Sequence, residues 1–82
     1  MEKRMRVREF LDSNEENILK GARIKPDLIK KMVLDAEHPD LRRMLRIFRE
    51  TQYHNIFLRL LFELPFEVCR NTIYGQNTLS KN

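Results

Sequence analysis

Tryptophan is absent from these 82 residues, glycine occurs only at Gly21 and Gly75, and cysteine only at Cys69. Two separated glycines cannot build the loop that lets backbone N–H groups close around a phosphate, which excludes the common nucleotide-binding motifs. A lone cysteine excludes an internal disulfide and fits a reducing compartment, so the cytoplasm is the expected location. Long apolar runs are also missing. The most apolar stretch, Ile56 to Cys69, is interrupted by Arg59, Glu63 and Glu67 and is shorter than the roughly 18 residues a spanning helix needs. No transmembrane helix and no membrane partner are expected. Near the N-terminus, Lys3, Arg4, Arg6 and Arg8 run into Glu9, Asp12, Glu15 and Glu16 instead of an apolar segment, which is not the pattern of a signal peptide.

Chemistry-bearing clusters are equally scarce. His38 and His54 stand apart from each other and from any spacing of Cys, His or carboxylate that would hold zinc. His38 with Asp40 brackets Pro39 at a helix start, an arrangement that caps a helix. Cys69 lies between Phe66 and Ile73 with no neighbouring base to generate a thiolate, so it reads as a small core residue. His54, among Gln52, Tyr53 and Asn55, reads as a surface residue. The expectation is a protein that is not an enzyme, with no catalytic residues, no metal, no cofactor and no evident small-molecule substrate.

What is present is helical periodicity cut by prolines at positions 26, 39 and 65. Met5, Val7, Phe10 and Leu11 suggest a short first helix, and Ser13 with Glu16 has the spacing of a capping box for a further helix over about 14–22. Gly21 would end it. Pro26 and Asp27 suit the first turn of a helix whose apolar face is Leu28, Ile29, Met32, Val33 and Ala36. His38-Pro39-Asp40 repeats that grammar ahead of Leu41, Met44, Leu45 and Phe48. Nothing but Gln52 interrupts the stripe before Ile56, so a long or kinked third helix is expected through to Leu64. Pro65 opens a last short helix with Phe66, Cys69 and Ile73 on one face. The fold class is all-α, a bundle of four to five helices forming a single domain over 1–75, with a flexible polar tail over 76–82.

Two surfaces could carry a function. The first is the segment Ile56 to Phe66, which holds three phenylalanines and four leucines in eleven residues. That is more apolar surface than short, charged neighbours can cover, so Ile56, Phe57, Leu60, Leu61, Phe62 and Phe66 are expected to form a protein interface, to a partner or to a second copy. The second is a basic ridge. At about 100° per residue, Arg42, Arg46, Arg49 and Tyr53 fall within roughly 60° of one another. With Lys3, Arg4, Arg6 and Arg8 they would suit the phosphates of nucleic acid. The expected function is a small helical regulatory or adaptor protein acting by protein binding and homodimerisation. A nucleic-acid-binding regulator is the alternative. The net charge of +4 decides little between them.

Overall fold

The computed structural model describes residues 6–74. Among them are five helices and no strand: α1 (Val7–Leu19), α2 (Pro26–Asp35), α3 (His38–Phe48), α4 (His54–Phe62) and α5 (Phe66–Tyr74). The expected tail over 76–82 lies outside the described residues. The all-helical class expected from the sequence is what the chain adopts.

α1 is one helix where the sequence suggested two. Val7, Leu11 and Ile18 are buried, and they stay in phase only if the helix runs on through Ser13, which instead lies exposed in its middle. Asn14 is accommodated by donating its side-chain amide to the Phe10 carbonyl at 2.8 Å. The helix ends where expected. Gly21 takes φ +99°, its N–H donates to the Ile18 carbonyl at 3.0 Å, and the Ala22 N–H donates to the Asn17 carbonyl at 2.9 Å. This is a Schellman ending, in which a left-handed residue turns the chain while satisfying carbonyls that the helix leaves unpaired.

α2 starts at Pro26, whose missing N–H would have no helical partner there, and buries Ile29, Met32 and Val33. At the start of α3 the Glu37 N–H donates to Asp40 Oδ2 at 3.3 Å, so Asp40 is a helix cap and His38 stands exposed beside it. α3 buries Leu41, Met44, Ile47 and Phe48 and packs against α1, α4 and α5, while α2 packs against α4. The central element is therefore α3.

The long helix expected over 39–64 is broken into α3 and α4. Thr51 makes the break: its hydroxyl donates to the Phe48 carbonyl at 2.9 Å and accepts from the Tyr53 N–H at 3.0 Å, so a side chain takes over pairings that a continuing helix would have made. The turn carries Tyr53 inward. Its ring meets Phe48 edge-on at 6.2 Å, and its hydroxyl accepts from the Ile24 N–H at 2.8 Å and donates to the Ala22 carbonyl at 3.3 Å. One side chain thus fastens the α3–α4 turn to the loop between α1 and α2. Phe57 follows into the core, 5.6 Å from the Phe48 ring.

Candidate protein-binding face

The apolar segment that stood out in the sequence divides into two populations. Phe57 and Leu61 are at 0% exposure, so they belong to the core and are corrected as interface residues: no partner reaches them while the domain is folded. Ile56 and Leu60 are half-buried against that core. Phe62 and Phe66 point outward, at 62% and 76% exposure. Residues 57 and 61 are one helical turn apart, and Phe62 lies about 100° round from Leu61, which is enough to place it on the outside of the same helix.

α5 is rotated relative to its apparent stripe. Its buried residues are Cys69 and Thr72, and Thr72 satisfies its hydroxyl on the Val68 carbonyl at 2.8 Å. Phe66 and Ile73, read from the sequence as sharing one face with Cys69, flank that contact and remain exposed. The stripe is therefore split, with Cys69 inward and the two larger residues outward. Tyr74 adds a further exposed ring.

These side chains surround a shallow cleft of about 440 Å³ between the end of α4 and the length of α5, lined by Phe62, Leu64, Phe66, Cys69, Ile73 and their neighbours. The Arg70 guanidinium lies 5.9 Å from the Phe66 ring centre, close enough for a cation–π attraction that holds the ring on the cleft edge. At the floor, burial pushes the Cys69 thiol above its ordinary range, because the thiolate would be poorly solvated there. That favours the unreactive thiol. The cleft can bury apolar side chains with Arg70 at its edge; among the described residues its lining does not assemble a nucleophile with a base.

The arginine ridge is only partly assembled. Arg42, Arg46 and Arg49 lie on the side of α3 opposite Met44 and Phe48, with Arg46 and Arg49 exposed and Arg42 half-buried. Among the described residues none of the three has an ion pair with an acid. Tyr53, expected in line with them, is 7% exposed and fastened to the loop, so it is corrected from the ridge to the core. Of the basic arm, Lys3 and Arg4 lie outside the described residues, Arg6 pairs with Glu9 at 3.2 Å, and Arg8 is exposed. His54, expected at the surface, is half-buried.

Arg43 went unnoticed in the sequence because its partners lie in another helix. Its fork reaches Asp12 at 2.6 Å and Glu15 at 2.8 Å, tying α3 to α1. The hydrogen bond to Glu15 and then that to Asp12 raise its pKa further above an already high value. Arg70, Ile73 and Tyr74 were also missed as surface residues, and their only sequence signal was proximity to Phe66. Compared with known proteins, the chain matches no family model, no curated protein and no solved structure.

Proposed function

We propose that this protein is a small helical regulatory or adaptor protein that acts by binding another protein surface through the α4–α5 face, with no reaction of its own. The observation that carries the reading is the outward placement of Phe62 and Phe66, at 62% and 76% exposure, around an apolar cleft. Large apolar side chains gathered in one exposed place mark a surface that is covered in use, whereas isolated ones mean nothing. The test uses the full chain and a Phe62→Ser/Phe66→Ser double variant whose helicity and melting are checked first. Each is used to capture proteins from extract of the source cells. A protein retained by the parent chain and lost with the folded double variant supports the reading. Identical capture by both overturns it.

A second reading, binding of nucleic acid, is favoured by one observation. Arg42, Arg46 and Arg49 share the outer side of α3 and have no acid partner among the described residues. It predicts retention of duplex DNA or RNA at low salt, falling steeply as salt rises because phosphate contacts release counterions. Absence of retention at low salt removes it. Exchange of Arg46 and Arg49 for Gln should abolish retention without altering what the α4–α5 face captures.

A further inference from the structure

The occupant of the α4–α5 face follows from its charge and its size. Arg70 lines the apolar cleft, and Arg59, Glu63 and Glu67 are exposed on α4, just after its end and on α5, so the face carries two charges of each sign. Among the described residues none of the four has an ion pair. The α4 and α5 helices carry no other formal charge, while the chain as a whole is +4. The excess positive charge therefore lies elsewhere. With two charges of each sign the α4–α5 face meets its own image without net repulsion, whereas the side of α3 that carries Arg42, Arg46 and Arg49 would bring like charge together.

An interface between identical copies is of necessity self-complementary, since each residue that contacts a second one across the two-fold axis is contacted by it in return. A rim with both signs satisfies that condition, and a rim of one sign does not. We propose, resting on the protein-binding reading above, that a second copy of this chain covers the cleft, with Phe62, Phe66 and Ile73 of each copy packed on the other. In this arrangement Glu67 of one copy faces Arg70 of its partner.

The area agrees with a reversible dimer. An aromatic side chain offers roughly 150 to 250 Å², so Phe62, Phe66 and Tyr74, at 62%, 76% and 64% exposure, leave about 400 Å² per copy. Two copies contribute about 800 Å² before Ile73, Leu64 and the rim are added, which brings the total to the low end of about 1,200 Å² for specific interfaces.

Sedimentation of the full chain over a concentration series tests the inference. The parent should pass from monomer to dimer between low micromolar and millimolar concentration. A folded Phe66→Ser variant should need at least about tenfold more protein to reach the same degree of dimerisation, corresponding to about 1.4 kcal/mol. Glu67→Arg and Arg70→Glu should each weaken self-association, and mixing those two variants should yield a heterodimer that forms more readily than either homodimer. That exchange is a readout a merely structural role would not give. A parent that stays monomeric throughout overturns the inference, as does a dimer that Phe66→Ser leaves unchanged. If the monomeric parent still captures another protein in a manner dependent on Phe62 and Phe66, the protein-binding reading survives and only the second copy falls. If neither occurs, both fall.

Discussion

The two ends of this molecule solve the problem of a small core in opposite ways. α1 to α3 present charged surfaces and close their joints with polar contacts: Arg43 across to Asp12 and Glu15, Asp40 on the Glu37 N–H, and the Schellman turn at Gly21. α4 and α5 are more apolar, yet leave Phe62, Phe66 and Tyr74 largely exposed. The N-terminal half exposes no large apolar ring, although Leu19 and Leu34 remain outside. The C-terminal half gathers three exposed rings, and that difference is why binding is proposed at α4–α5.

That contrast can be broken most severely in the core between the two halves. Phe57→Ala removes a ring at 0% exposure and should cost about 3 to 5 kcal/mol, which a domain of this size barely tolerates, so a strongly lowered urea midpoint or outright unfolding is expected. Tyr53→Phe keeps the ring but strips the hydroxyl from the Ile24 N–H and the Ala22 carbonyl. A loss of about 1 to 2 kcal/mol in denaturant titration is expected, with faster hydrogen exchange at the Ile24 amide. An unchanged midpoint would show that the α3–α4 turn does not need its tie to the α1–α2 loop.

Smaller effects sharpen the comparison. Gly21→Ala meets no atom within 4 Å but sits at φ +99°, where a Cβ is strained by its own backbone, so about 1 kcal/mol should be lost. Arg43→Met should cost about 1 kcal/mol, since Asp12 and Glu15 remain partly in water and screening limits each pair. That loss should shrink at high salt, as measured by midpoints with and without added sodium chloride. Phe66→Ser stands at the other extreme. Its effect on stability under dilute conditions should stay within about 0.5 kcal/mol, against severalfold larger losses for Phe57. Equal losses at the two positions would mean that Phe66 is a core residue after all.

Cys69 gives a further, milder check of the C-terminal half. Because burial raises its thiol pKa in the fold, the folded state holds the proton more tightly than the unfolded chain. Stability is therefore unaffected below the ordinary thiol range and declines as pH rises through it toward the folded value. Modification by a thiol reagent should accordingly be much slower in the native protein than in denaturant. Equal rates would place the thiol in open solvent.

Much of the fold was legible because its signals are local. Pro26 and Pro39 mark helix starts through a missing N–H, Gly21 marks an end through the handedness of one φ angle, and Leu28 to Ala36 repeat at helical spacing. The failures also have local causes. Ser13 and Glu16 have the spacing of a cap, but the phase shared by Val7, Leu11 and Ile18 outweighs one side-chain hydrogen bond. Thr51 carries no strong breaking signal, and only its pairing with Phe48 and Tyr53 shows that α3 ends there.

The sequence by itself determined the helical class, the main punctuation and the excess of apolar residues after Ile56, since each depends on composition or on residues within a turn or two of one another. Tertiary structure alone decided which of those apolar residues are spent inside: Phe57 and Leu61 are buried in the core, whereas Phe62 and Phe66 face outward. It likewise took Tyr53 from a presumed arginine ridge into a contact 29 residues away. Periodicity shows that a helix has an apolar side but not how wide a sector its neighbours cover, and the uncovered remainder is the face for which binding is proposed.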